Sequence, residues 1–112
     1  DDPTGTVNIG DGIWHHLQGV YDGTKRYIYV DGTVDISFSD TGLISLDDEV
    51  VRIGAKRNGD SRHRGLIDEV RIEACARSSN WVWACWMNQG TNHMSFTRYG
   101  IKRKWPTIIM FR

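Results

Sequence analysis

The sequence predicts an all-β fold, an antiparallel β-sandwich carrying one short helix, and three observations lead there. Apolar and β-branched runs recur about every ten residues between glycine-containing turns. The pair Asp31-Gly32 separates two alternating runs, which is the strongest short-range hairpin signal. No stretch repeats with a helical period before Ser78, so layers of strands must form the core.

Each element follows from its own residues. Residues 14–21 are aromatic and β-branched and lie between Asp11-Gly12 and Asp22-Gly23, both good turn formers. Residues 27–30 run into Asp31-Gly32, where Gly32 supplies the positive φ that the turn needs, and residues 33–36 return. Trp14 is expected to anchor the sheet packing. Residues 50–54 alternate, a polar loop over 56–64 interrupts, and residues 66–72 alternate again. In that last run Asp68, Val70 and Ile72 share one face, and Ile67, Glu69 and Arg71 share the other. These make five strands. Ser78, Ser79 and Asn80 then form a cap region for a short helix near residues 79–89, closed by Gly90. Residues 96–99 are expected to form a last strand, and residues 101–106 read as the start of a linker.

Composition narrows the class further. A length of 112 residues fits one domain with a core of its own. The hydrophobic share of 39% and charged share of 25% exclude disordered, collagen-like and disulfide-dense chains. No run approaches the roughly 18 apolar residues of a membrane span, and Asp1-Asp2-Pro3-Thr4 does not read as a signal peptide. The chain is therefore expected to be cytosolic or to have lost its amino terminus. The formal net charge of zero argues for neither nucleic acid nor a membrane surface as a partner. It hides an asymmetry: residues 1–50 hold ten acids against Lys25 and Arg26, and residues 51–112 hold twelve bases against Asp60, Asp68, Glu69 and Glu73. The halves balance at −8 and +8, which reads as attraction between acidic and basic strand faces.

The run WHHLQGVYDGTKRYIYVDG over residues 14–32, then VRIGAKRNGD over 51–60, then GLIDEVRIEACARSSNW over 65–81, resembles the bacterial laminin-G-like family of concanavalin A-like jelly rolls. Each block is a weak signal alone; the series in this order and spacing is strong. The resemblance covers about residues 14–100 and implies a concanavalin A-like jelly roll whose opening strands precede this sequence. It implies a laminin-G-like domain over residues 1–100, partial at its amino terminus, and a tail or linker over 101–112. It also implies a non-catalytic recognition module of a secreted or cell-surface multidomain protein, with carbohydrate or an extracellular glycoprotein as partner and further domains beside it. Two alternatives stay open: a structural spacer with no ligand of its own, and an ancillary domain of a carbohydrate-active enzyme.

Candidate sites follow from residue chemistry. The related glucanases use a Glu-x-Asp-x-x-Glu strand motif, which Asp68-Glu69-Val70-Arg71-Ile72-Glu73 does not match. On a strand, Glu69 and Glu73 would lie about 13 Å apart, beyond the ~5–9.5 Å that paired carboxylates require. With no nucleophile elbow, phosphate loop or zinc spacing present, the sequence predicts no enzyme. Asp68 is expected to accept backbone hydrogen bonds from a neighbouring turn, and Glu69 to pair with Arg71 or a cross-strand base. Binding falls instead to the loop over residues 55–64. There Asn58 and Asp60 flank the permissive Gly59 and are candidate oxygen ligands for the Ca²⁺ that the family resemblance implies. Lys56, Arg57, Arg62 and Arg64 surround them and oppose a cation. The same residues, Arg57, Asn58, Asp60, Arg62, His63 and Arg64, form a candidate ligand site for an acidic glycan, sulfate or carboxylate. His15 and His16 point to opposite faces and cannot share a metal. Trp83 and Trp86 share a helix face that must dock, although Trp81, Trp83 and Trp86 also read as a sugar-stacking set. Cys75 and Cys85 are candidates for a disulfide, with two buried thiols as the alternative.

Overall fold

A computed structural model describes residues 3–42, 50–56 and 58–89. Within them the chain forms strands β1 (Leu17–Tyr21), β2 (Lys25–Val30) and β3 (Thr33–Ser39), and one helix, α1 (Ser79–Gln89). The strands make a three-stranded antiparallel sheet in the order β1-β2-β3, with Leu17 opposite Val30 and Tyr21 opposite Arg26.

The two turns explain this register. At the first, the Asp22 carboxylate accepts hydrogen bonds from the backbone N–H groups of Thr24 and Lys25 and from the Thr24 hydroxyl, each at 2.8 Å. Those bonds hold its carboxyl down at about 2. At the second, Asp31 and Gly32 both take positive φ, 50° and 79°, as a two-residue turn matched to strand twist demands. In β3 the pairing shifts: Ile28 opposes Ile36 and Tyr29 opposes Val34, so Asp35 is left without a partner as a bulge. The bulge frees the Asp35 side chain to accept hydrogen bonds from the Thr6 and Val7 backbone N–H groups and the Thr6 hydroxyl. This contact lays the amino-terminal segment against the sheet.

One sheet face carries Leu17, Gly19, Ile28 and Val30. With Val7 and Ile9 it bounds an open groove of about 420 Å³. Further along the same face, the Arg26 guanidinium lies 5.9 Å from the ring centres of both Tyr21 and Phe38 and pairs with Asp40. Buried apolar side chains among the described residues are few: Tyr29, Val30 and Val82.

The helix forms as its cap residues predict. The Ser78 side-chain oxygen accepts the Trp81 N–H, and the Ser78 carbonyl accepts that of Val82. Its docking point is the β2–β3 turn. A methyl group placed on Gly32 would lie 3.0 Å from the Trp86 ring and 3.3 Å from the Trp83 Cα, so glycine lets the helix approach closely. The Trp86 side chain therefore docks on the sheet end, whereas Trp83 approaches it through its backbone and is 46% exposed, so only part of the expected shared face is docked.

Three expectations are corrected. The runs 50–54 and 66–72 alternate but form no strands among the described residues. A strand exists only as part of a ladder, and positive φ at Gly54 (76°) and Glu69 (52°) interrupts both runs. Leu66 and Ile72 are accordingly exposed, at 78% and 76%. Trp14 is no packing anchor: it precedes β1 and is 61% exposed. Asp68 caps the N–H of the next residue, Glu69, at 2.8 Å rather than a neighbouring turn. The expected strand at 96–99, Gly90 and the tail over 101–112 lie outside the described residues.

Candidate functional site

The polar loop of residues 54–64 is a hairpin-like excursion closed by its own backbone. His63 donates its backbone N–H to the Gly54 carbonyl at 2.7 Å, Lys56 donates to Asp60 at 2.9 Å, and Gly59 donates to Lys56 at 2.8 Å. Gly59, at φ 84°, makes the reversal, and Ser61 also takes a positive φ of 49°. At the tip the Asn58 side-chain carbonyl accepts the Asp60 N–H at 3.0 Å, and the Asn58 amide donates to the Asp60 carboxylate at 2.5 Å. Arg62 Nε donates to the Gly59 carbonyl at 3.0 Å and fastens its side chain along the loop. Arg57 lies outside the described residues.

This geometry sets what the loop can hold. A resident Ca²⁺ needs six to eight oxygens. Here the Asn58 carbonyl and one Asp60 oxygen are already engaged with each other's groups. No group of three His, Cys, Asp or Glu side chains among the described residues could hold a metal. Asn58 and Asp60 by themselves supply fewer side-chain oxygens than that shell takes. The cations give the opposite picture. Arg52, Lys56, Arg62 and Arg64 are exposed, and none meets a carboxylate among the described residues. Asp60, the loop's acid, is tied to Asn58. The loop and the adjoining Arg52 thus present several exposed cations that pair with no carboxylate among the described residues.

The described acids elsewhere are engaged internally. Asp22 and Asp35 cap backbone, Asp40 pairs with Arg26, Glu69 lies 3.7 Å from Arg71, and Glu73 pairs with Arg77. Glu69 thus takes the Arg71 partner that its sequence position suggested. Asp11 and Asp31 flank the His15 ring at 3.0 and 2.8 Å. Arg77 also lies over the Trp81 ring at 4.6 Å, and its proton is held more firmly by Glu73. A second, open groove of about 570 Å³ runs between Glu69 and Arg71 on one side and Trp81, Ala84 and Cys85 of α1 on the other. Cys75 and Cys85 are free thiols, the first exposed and the second half-buried.

Two residues with structural consequence escaped the sequence reading. Asp35 acts through a bulge that no local pattern announces. His15 is clamped by a residue 16 positions away, brought close only when the hairpin closes.

The class this fold and loop define is a β-sheet scaffold displaying a polar, arginine-containing loop. A family profile described as concanavalin A-like lectin/glucanases superfamily, of laminin G type, matches residues 2–83, and the chain belongs to that family. Among solved structures it is similar to an S-layer domain-containing protein (residues 221-444) from Clostridium thermocellum ATCC 27405, with a TM-score of 0.56 and 16% identity. The match covers 73% of this chain and 43% of that one, so this chain spans under half of that structure, and the likeness is one of fold. No curated protein matches the chain. Among the described residues no helix is long and apolar enough to cross a membrane.

Proposed function

We propose that this chain is a non-catalytic recognition module of a secreted or cell-surface multidomain protein, binding an acidic carbohydrate or a glycoprotein that carries one. The observation behind the reading is the hairpin loop whose exposed cations, Lys56, Arg62 and Arg64, with Arg52 just before it, meet no carboxylate among the described residues. Guanidinium groups recognise carboxylate and sulfate through paired N–H donors. Non-catalytic is part of the proposal: Asp68-Glu69-Val70-Arg71-Ile72-Glu73 does not match the Glu-x-Asp-x-x-Glu strand motif of the related glucanases. In this reading the sheet is one part of a complete jelly-roll sandwich, the laminin-G-like unit extends to about residue 100, and residues 101–112 lead onward.

The test is binding of the chain to immobilised sulfated and uronate-bearing oligosaccharides beside their neutral counterparts. Selective retention of the acidic set, lost in the double variant Arg62→Gln/Arg64→Gln, supports the reading; equal retention by wild type and variant removes the loop from it. Asn58 and Asp60 keep a separate calcium test: Asp60→Ala should abolish any rise in Tm that calcium produces. A second reading, a spacer without a ligand, draws on the similarity to an S-layer domain-containing protein. Absence of saturable binding to every glycan and matrix protein tried would favour it.

A further inference from the structure

The His15 ring lies between two carboxylates. Its Nδ1 is 2.8 Å from Asp31 Oδ2, and its Nε2 is 3.0 Å from Asp11 Oδ1. The ring is nearly enclosed, with 9% of its side chain exposed. A neutral imidazole has one N–H and one lone pair, and a carboxylate only accepts. In the neutral ring, one of these two contacts would set a nitrogen lone pair against a carboxylate oxygen. Only the imidazolium, donating from both nitrogens, satisfies both.

The two carboxylates are not equivalent. Asp31 is locked by the β2–β3 turn: its other oxygen accepts the His16 N–H at 2.9 Å, and its own N–H donates to the His16 carbonyl at 2.9 Å. Asp11 sits on the exposed amino-terminal segment, and its Oδ1 also accepts the Ile13 N–H at 3.0 Å. Of the two, Asp11 is the one free to leave. The segment it belongs to is fastened again at Thr6 and Val7, through Asp35. Between these two fastenings, Ile9 forms part of the wall of the open groove that Leu17 and Ile28 also line.

We propose that His15 is a proton-operated latch: as imidazolium it clamps the amino-terminal segment to the hairpin through Asp11, and on losing its Nε2 proton it releases Asp11 and lets the segment that walls the groove move away from β1 and β2. The charged groups facing the ring are Asp11 and Asp31, and both favour its protonated form, Asp31 the more. Neighbouring His16 lies on the opposite side of the backbone. It is half-buried, and its Nδ1 has no hydrogen-bond partner among the described residues. Burial and Arg71 hold it neutral while Asp31 opposes them, so it does not duplicate the latch.

The test follows both ring nitrogens of His15 by NMR in the 112-residue chain from about pH 5 to about pH 9, beside the nuclear Overhauser contacts between the His15 ring and Asp11. The latch predicts titration above the ordinary 6.5 and loss of the His15–Asp11 contacts across that same titration. The variant Asp11→Asn separates the latch from a purely structural role. An amide can donate to the neutral ring or accept from the charged one, so its contacts with the ring should persist at high pH while the His15 titration moves down. A His15 that titrates at or below 6.5, or ring contacts that do not follow its titration, overturns the proposal. So does an Asp11→Asn chain that opens with pH as the wild type does.

Discussion

Gly32→Ala tests whether α1 is held by the hairpin turn. Gly32 sits at φ 79°, where an L-residue costs about 1–2 kcal/mol. A new Cβ would also meet the Trp86 ring at 3.0 Å and the Trp83 backbone at 3.3 Å. Overpacking of that kind adds about 1–3 kcal/mol unless the helix shifts away. The sum, about 2–5 kcal/mol, is a large part of the ~5–15 kcal/mol that stabilises a small domain. Gly23→Ala is the control: Gly23 has φ 95° but nothing within 4 Å of its Cβ position, so it carries the strain alone. Urea unfolding followed by tryptophan fluorescence reads both variants. The expected result is a loss at Gly32 exceeding that at Gly23 by about 1–3 kcal/mol, with an altered native emission from Trp86 in Gly32→Ala alone. Equal losses and unchanged native emission would refute the docking of α1 on this turn.

Other perturbations address separate contacts. Val82 is fully buried, so Val82→Ala should cost about 2 kcal/mol in the same unfolding assay. Asp22, with its carboxyl at about 2 in the fold against 3.8 unfolded, contributes stability that is complete above 3.8 and lost as pH falls through about 2. The stability gap between wild type and Asp22→Asn should therefore close in acid, as equilibrium unfolding at stepped pH would show. For His15 the sign reverses. Its raised value means a contribution complete below 6.5 and lost as pH rises through the folded value, so the stability difference from His15→Gln should shrink on the alkaline side. Asp35→Ala should speed amide exchange at Thr6 and Val7 while leaving the β1–β2 ladder protected, because the bulged carboxylate touches only the amino-terminal segment.

How legible these features were depends on how local their causes are. The Asp31-Gly32 turn, the Asp22 turn and the Ser78 cap are set within four residues, and the structure has all three. Alternation at 50–54 and 66–72 records β propensity, but a strand also needs a neighbour to pair with, and alternation cannot say whether one is there. Trp14 shows the same gap: its size suggests burial, yet burial depends on an opposing layer. At the loop over residues 55–64, the residues around Gly59 were readable, whereas the mutual hydrogen bonding of Asn58 and Asp60 appears only in three dimensions. The clamp on His15 needs the hairpin to close before its second carboxylate arrives.

Titration of the chain with one sulfated oligosaccharide and its desulfated counterpart, each at low and at high salt, is the most direct test of recognition by the basic loop. The account predicts saturable binding of the sulfated form that weakens steeply with salt, as expected of exposed cations whose field is screened, and negligible binding of the desulfated form. Equal affinity for both forms, or binding indifferent to salt, would contradict it.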